Sequence, residues 1–295
     1  MEISETTIHK LPELKNPVLI ASFAGWSDAA QVATGTVLFL VRNLDAAGFA
    51  QIEGDQFYDF SVTRPKIHID GGLITSLQLP NNSLFYWRDQ KASHDLVLLH
   101  GIEPQLHWQK FVDTILDLAI KLKIWRIYVL GGLYDSTPHT REPRISGVVN
   151  RAGLLSVLQK HNIAPINYQG PSSLNSFLLT SCARRNIEAI SLWGHAPFYV
   201  RVETNPMVCR SLVKKLTEML EIEIDTKELL IAGENLQDML NRLLSDNEDL
   251  QLYIKKLEEQ YELEGTTPGE PSQGADRIVR EVEDFLRNQR RKEEK

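Results

Sequence analysis

The chain has 295 residues, 42% of them hydrophobic and 24% charged, which is the ordinary mixture of a globular protein with a buried core. Its net charge of −7 argues against the broadly basic surface with which proteins usually bind nucleic acids or acidic membranes. The N-terminus has no basic stretch followed by an apolar core, and no run of 18 apolar residues occurs. We therefore expect a cytoplasmic protein that binds neither nucleic acid nor a membrane.

The N-terminal third is predicted to contain a strand, a helix and a β-hairpin. Residues 17–23 form a short apolar run that ends close to Gly25, which predicts a buried strand. Ser27 or Asp28 is well placed to cap a helix that continues through residues 33–41. The segments 66–69 and 74–79 flank the turn sequence DGG, which predicts a hairpin, and a further strand is predicted at 83–87.

Short apolar strands alternate with helices through the middle of the chain. The strands are predicted at residues 96–99, 126–130, 165–168 and 187–193, and the helices at 108–122, 153–158, 174–183 and 206–220. Such alternation is typical of a mostly parallel sheet with helices on both faces, and the hairpin adds an antiparallel element. The sequence therefore predicts an α/β domain with a mostly parallel mixed sheet over residues 1–223.

The strands stop after residue 223, and residues 224–295 are predicted to form an all-α extension. Large apolar residues recur there at alternating spacings of four and three, which is typical of packed helices. One long helix, or a helical hairpin whose second helix starts near residues 245–247, would fit this pattern. Residues 265–274 read GTTPGEPSQG, a flexible linker by composition, and residues 278–286 are predicted to form a last amphipathic helix.

Polar side chains cluster after the predicted strands. From the N-terminus they are Trp26, Ser27 and Asp28, then Glu103, then Asp135, His139 and Arg141, then Ser172, and finally His195. Loops that follow parallel strands gather at one edge of the sheet, where such folds build their binding crevices. The sequence therefore predicts a polar rim that binds a small ligand or a peptide. The alternative is that these residues only cap helices and close turns, which Asp28, Ser172 and Asn175 could each do.

Complete catalytic and metal-binding motifs are absent from the sequence. His100, Glu103 and His107 do not have the spacing of a zinc-binding helix. Arg141 is either free to clamp a carboxylate or phosphate, or is paired with Glu142 to anchor a proline-rich loop. No serine-nucleophile elbow, phosphate-binding loop or dinucleotide fingerprint occurs. We therefore predict no metal and no cofactor, and the sequence names no catalytic residue.

Six short motifs in order resemble the proteasome assembly chaperone 2 family over residues 17–215. From the N-terminus they are FAGWSDA at 23–29, Tyr58 with Thr63-Arg64-Pro65, GIEP at 101–104 with Trp108, GG at 131–132 with PHTR at 138–141, YxGPSS at 168–173, and GHAP at 194–197. The helical region after residue 223 is similar to the extension of bacterial members of that family.

The resemblance implies a three-layer α/β/α sandwich related to the phosphorylase/hydrolase-like fold, and it implies self-association. Archaeal and eukaryotic relatives chaperone proteasome assembly, often docking through a C-terminal tail of a hydrophobic residue, a tyrosine and one further residue. This sequence ends in RKEEK and lacks that tail, so the resemblance favours the fold more strongly than it favours proteasome docking. It carries over no established catalytic residue.

Two functional hypotheses follow from these observations. The first is a non-catalytic, homo-oligomeric assembly chaperone or protein-binding scaffold, whose partners are proteasome subunits or another protein. The second is an enzyme or small-molecule binder that uses the polar rim. The sequence leaves open whether the protein is an enzyme. The rim residues, together with Arg64, are the candidate contacts for either function.

Overall fold

The computed structural model describes residues 6–245, 247–263 and 275–293. Its strands are β1 (Thr6–Ile8), β2 (Val18–Ala24), β3 (Ala47–Ile52), β4 (Lys66–Asp70), β5 (Leu73–Gln78), β6 (Asn82–Trp87), β7 (Leu96–Ile102), β8 (Arg126–Asp135), β9 (Ile145–Val149), β10 (Ala164–Pro165) and β11 (Glu188–Pro197). Its helices are α1 (Val32–Asn43), α2 (Trp108–Lys121), α3 (Leu155–Lys160), α4 (Leu174–Arg184), α5 (Pro206–Leu220), α6 (Lys227–Ser245), α7 (Glu248–Leu263) and α8 (Ala275–Glu293). The linker predicted at residues 265–274 lies outside the described residues.

Nine of the described strands form one mixed sheet in the order β1-β3-β6-β7-β2-β8-β11-β9-β10. The four central strands, β7, β2, β8 and β11, run parallel, and antiparallel pairs lie on either side of them. Each of these central strands contains at least four consecutive buried residues because helices cover both faces of the sheet. One apolar core lies between the sheet and helices α2 and α4, and the other between the sheet and helices α1 and α5. The predicted three-layer α/β/α fold class is confirmed.

Several predicted strand boundaries were wrong. Strands β8 and β11 continue past the apolar runs that predicted them, because their backbones stay paired as far as Asp135 and Pro197. The strand predicted at 165–168 contracts to Ala164–Pro165 at the sheet edge, where Pro165 has no N–H to donate. Strands β1, β3 and β9 were not predicted.

The hairpin predicted around residue 71 is confirmed, but it forms a separate two-stranded sheet of β4 and β5. Gly71 and Gly72 make its turn with φ angles of 55° and 87°, which residues with a side chain rarely adopt. Every residue of both strands is exposed. The hairpin therefore projects from the body of the protein.

The helices after residue 223 fold back onto the α/β layers of the same chain. Helix α6 ends at Ser245 and α7 begins at Glu248, so the chain forms two helices and not one long rod. Asn247, within the segment predicted to start a new helix, caps α7 by accepting a hydrogen bond from the Leu250 N–H at 3.1 Å. Buried apolar residues of α6, α7 and α8 pack with residues 198–200, which directly follow β11, and we call this cluster the extension core. The division of the chain near residue 223 stays a prediction.

Gly132 lets the loop of residues 26–29 lie against β8. Its N–H donates to the Ser27 carbonyl oxygen at 2.7 Å, and a Cβ here would lie only 2.8 Å from the Ala29 carbonyl oxygen. We expect Gly132→Ala to lower the free energy of unfolding by about 1–3 kcal/mol, because a backbone oxygen cannot easily move aside. At the control position, Gly153, a Cβ would meet no atom within 4 Å, and we expect Gly153→Ala to change stability by at most about 0.5 kcal/mol. Urea denaturation measures both variants, and an equal loss of unfolding free energy in the two would contradict the close approach at Gly132.

Candidate functional site

Glu103 joins three segments at the carboxyl edge of the central strands. Its Oε2 accepts a hydrogen bond from the Trp26 N–H at 3.0 Å, and its Oε1 accepts one from the N–H of Leu174, the first residue of α4, at 3.1 Å. The dipole of α4 stabilises a carboxylate at this end. Gly25 leaves room for Glu103, since a Cβ there would lie 2.8 Å from Oε2. Both carboxylate oxygens are therefore engaged in holding the edge together.

A groove of about 740 Å³ opens beside Glu103, and we call it the rim groove. Its walls include Trp26, Val62, Glu103, Trp108 and Ser172. The side chains of Trp26 and Val62 are 64% and 67% exposed, so much of the wall is apolar surface that faces solvent. Exposed tryptophan is typical of surfaces that contact proteins or peptides. The structure thus brings three of the candidate residues, Trp26, Glu103 and Ser172, into one groove.

Two further candidates follow groove residues in the chain without lining the groove. Arg64 is exposed in the loop before β4. Ser27 is buried, and its hydroxyl has no hydrogen-bond partner among the described residues. The cap of α4 is Ser173 and not Ser172, since Ser173 accepts the first-turn N–H bond at 3.2 Å. Ser172 therefore remains exposed at the groove.

Asp28 is buried and caps α1. Its Oδ1 accepts hydrogen bonds from the Ala33 N–H at 2.8 Å and the Thr34 N–H at 3.1 Å, and its Oδ2 accepts one from the Thr34 hydroxyl. Burial raises the pKa of Asp28, although the bonds from Thr34 and Ala33 act in the opposite direction. The prediction that Asp28 caps a helix is confirmed.

The capping role of Asp28 predicts how two substitutions affect stability. We expect Asp28→Ala to lower the free energy of unfolding by about 1–2 kcal/mol, and Asp28→Asn, which keeps an acceptor oxygen, to lower it less. The pKa of Asp28 is higher in the folded state than in the unfolded state. Its contribution to the free energy of unfolding is therefore fully present below the unfolded-state pKa and is lost as the pH rises through the folded-state pKa. The stability of the Asn variant relative to wild type should therefore improve with rising pH. Denaturation at several pH values measures this, and a falling relative stability would contradict it.

The loop after β8 is held against helix α7. Arg141 forms ion pairs with Glu258 at 3.1 Å and with Glu262 at 2.9 Å. Of the two alternatives for Arg141, the structure favours the ion pair that anchors the loop, but the partners are the carboxylates of α7, over 110 residues later in the chain, and not Glu142. Arg141 anchors its loop to the extension and is not free to clamp a small ligand.

His139 belongs to the same loop and packs against Tyr199. The backbone N–H of His139 donates to the Tyr199 hydroxyl oxygen at 2.7 Å, and the ring Nδ1 of His139 lies 2.7 Å from the same hydroxyl oxygen. Burial lowers the pKa of His139 to about 4, so the imidazole is neutral at pH 7. The side chain is therefore a neutral part of the packing between the loop and the residues that follow β11.

A second polar cluster is buried between β8, β9 and β11. Leu133 of β8 pairs with His195 of β11, and Trp193 of β11 pairs with Ser146 of β9. Because residues two apart on a strand share a face, Asp135, His195 and Ser146 lie on the same face of the sheet. Asp135 Oδ2 lies 2.7 Å from His195 Nδ1, and Ser146 Oγ lies 2.7 Å from His195 Nε2. We call these three residues the buried triad.

The structure places Asp135 and His195 differently from the predictions, and it brings them together with Ser146, which was not predicted. Asp135 and His195 were predicted in loops after strands, but both lie inside strands, because β8 and β11 stay paired beyond their apolar runs. Ser146 was missed because β9 was not predicted and 49 residues separate Ser146 from His195. The only local signal is the segment ISGVV, which is short and rich in β-branched residues. The structure thus places Trp26, Glu103 and Ser172 at the rim groove, Arg141 against α7, and Asp135 and His195 in the buried triad.

Neither a metal-binding cluster nor a membrane-spanning helix occurs among the described residues. Among them, no group of three or more His, Cys, Asp or Glu side chains is arranged to hold a metal ion. Within the same residues, no helix is long and apolar enough to cross a membrane.

The fold and these sites define an α/β/α protein with a groove at the carboxyl edge of its parallel strands and a helical extension that covers part of the same edge. The sequence model of the PAC2 family matches residues 22–244. The chain belongs to the PAC2 family. Among proteins with curated descriptions, none matches the chain.

Solved structures agree with this assignment. A PAC2 family protein from Streptomyces avermitilis is 32% identical with a TM-score of 0.72, over 77% of this chain and 95% of that one. A proteasome-assembly chaperone homologue from Mycobacterium tuberculosis is 27% identical with a TM-score of 0.74, over 80% of this chain and 99% of that one. The archaeal proteasome activator PbaB of Pyrococcus furiosus is 20% identical with a TM-score of 0.66, over 81% and 98%, which is a likeness of fold alone.

Proposed function

We propose that this protein is a homo-oligomeric assembly chaperone, a scaffold that binds other proteins. Its family and its 27% identity to the proteasome-assembly chaperone homologue of M. tuberculosis support this function. The observation that carries the proposal is the apolar face of the β4–β5 hairpin, which the described residues of the chain leave uncovered. Soluble monomers rarely expose contiguous apolar patches, and larger ones mark contact sites for proteins.

The hairpin presents its apolar residues on one face. Ile67 pairs with Leu77, and Ile69 pairs with Ile74, so that all four side chains lie on the same side of the two-stranded sheet. Each of the four is between 53% and 62% exposed, and we call them the hairpin face. The opposite side carries polar residues, which include Lys66, His68, Ser76 and Gln78. This alternation is the pattern of a half-buried strand pair, yet nothing in the described part of the chain covers the apolar side.

The occupant that best fits the hairpin face is a second copy of this chain. The face carries no charge, and homodimer interfaces are more apolar and poorer in charge than transient ones. A two-stranded hairpin is also marginally stable by itself, so packing against another copy would stabilise its order. A symmetric contact uses the same patch on both subunits, and a flat apolar face is complementary to itself. The rim groove, with exposed Trp26 and Val62, then remains available for the protein that is chaperoned.

Light scattering and native mass spectrometry of the purified full-length protein test this function. We expect an oligomer whose mass is a multiple of 33.6 kDa at micromolar concentration. On mixing with purified α-type and β-type proteasome subunits, we expect a complex of defined stoichiometry. A monomer at tens of micromolar would overturn the oligomeric scaffold. An oligomer that binds neither subunit type would overturn the proteasome as its partner.

A further inference from the structure

The buried triad has the connectivity of a nucleophile, a base and an orienting acid. His195 Nδ1–H donates to Asp135 Oδ2, which fixes the imidazole so that Nε2 can accept the proton of the Ser146 hydroxyl. Both distances are 2.7 Å, within hydrogen-bond reach for a nucleophile and for its base. Such a constellation is recognised by geometry and not by chain order, and it recurs on unrelated folds. The three residues come here from three neighbouring strands.

A cavity of about 380 Å³, large enough to hold a small molecule, lies beside the buried triad. Ser146 and His195 both line it, so the nucleophile and its base face the same space. The volume lies within the range of small-molecule sites, about 300–1,000 Å³. The cations Arg144, Lys214 and Lys215 also line the cavity, against two carboxylates, Glu142 and Glu218. The excess of cations favours an anionic ligand over a cationic one.

We propose that Ser146 is the nucleophile of an acyl-transfer site that hydrolyses small anionic carboxylic esters, with His195 as general base and Asp135 as the residue that positions His195. This activity goes beyond the proposed scaffold function and does not depend on it. The site is separate from the rim groove, with which it shares no lining residue.

The reaction proceeds in two balanced halves. Ser146 Oγ attacks the ester carbonyl carbon, the hydroxyl proton moves to His195 Nε2, and the resulting tetrahedral adduct collapses. The bond to the alcohol oxygen breaks, the alcohol leaves with the proton from Nε2, and an acyl ester on Ser146 remains. Water then attacks this acyl group, gives its proton to Nε2, and releases the carboxylic acid as Ser146 regains its proton.

An alkyl fluorophosphonate, which phosphonylates activated serines, tests this site in the full-length protein. We expect one phosphonyl group per chain, on the tryptic peptide of residues 145–151, in which Ser146 is the only serine. Ser146→Ala should abolish the labelling. Ser191→Ala is the matched control, because Ser191 is also a sheet serine only 2% exposed, and we expect it to label like wild type. Folded wild-type protein that stays unlabelled, or that is labelled elsewhere, would overturn the proposal.

Two further measurements separate a nucleophile from a merely buried hydrogen-bond chain. His195→Gln should slow the labelling of Ser146 by about 100-fold or more, the usual contribution of a general base, in protein whose circular dichroism shows that it is folded. Ser146→Cys should keep a nucleophile at this position and be alkylated there by iodoacetamide. An excess of monomethyl succinate should slow wild-type labelling, whereas acetylcholine, a cationic ester, should not. Labelling that is independent of His195 would contradict the assigned base, and equal protection by the two esters would contradict the anionic class.

Discussion

Replacing both Ile67 and Leu77 by threonine is expected to raise the dissociation constant of the oligomer by about 100-fold. These two residues form a cross-strand pair on the hairpin face, and both are more than half exposed in the single chain. Each substitution removes apolar surface worth roughly 0.8 kcal/mol on each subunit, and a symmetric contact contains four substituted side chains, so the variant costs about 3 kcal/mol of association free energy. Threonine retains β-propensity, so the hairpin itself should persist. Light scattering over a dilution series measures the shift from oligomer to monomer.

The same hairpin provides the control for this experiment. His68 and Ser76 form the neighbouring cross-strand pair, on the opposite face of the same two strands. Changing both to threonine alters the strands as much but leaves the hairpin face intact, so we expect no change in the dissociation constant. If the two double variants dissociate alike, the hairpin acts through its own folding and its apolar face is not the interface. If neither dissociates, the copies meet elsewhere.

The central strands of the fold could be predicted because burial on both faces demands continuous apolar residues. Strand β2 is such a run, and so is the first part of β7. Strand β3, with the sequence AGFAQI, contains Gly48 and a register shift beside it, and only three of its six residues are buried, so it offers no such run. Strand β9 is five residues long and follows a proline-rich loop. Strands at or near the edge of a sheet form because they pair with neighbouring strands, and a single sequence does not show which segments pair.

The candidate site was predictable only where its contacts are local. The cap formed by Asp28 spans five to six residues and follows from the position of Asp28 ahead of an apolar helix. The partners of Arg141, by contrast, lie 117 and 121 residues further along the chain, and no local pattern indicates them. Ser146 comes next to His195 only because β9 pairs antiparallel with β11. Long-range pairing therefore determined the polar clusters, while local spacing determined the caps and turns.

Introducing an aspartate at Ile254 is expected to detach helix α7 from the rest of the protein. Ile254 is 4% exposed in the extension core, together with Phe198 and Tyr199 from the segment after β11. The substitution removes a buried side chain and places an unpaired carboxylate in an apolar site, which costs at least about 3 kcal/mol. The opened population of α7 should therefore rise more than 100-fold. Hydrogen exchange of peptides from α7, and cleavage by a protease at low concentration, measure this opening.

Two comparison variants show which contacts hold the extension in place. Leu252→Asp introduces the same charge on the same helix at a position that is 62% exposed, and we expect it to leave exchange in α7 unchanged. Arg141→Ala removes both ion pairs to α7, but these pairs are partly open to solvent and screened by salt, so we expect a much smaller effect than that of Ile254→Asp. If Arg141→Ala opened α7 as far as Ile254→Asp, the ion pairs would hold the extension. If Ile254→Asp left α7 protected, the extension core would not be packed as the structure has it. The expected order assigns the docking of α7 to apolar burial, and it makes Arg141 the anchor of the loop after β8.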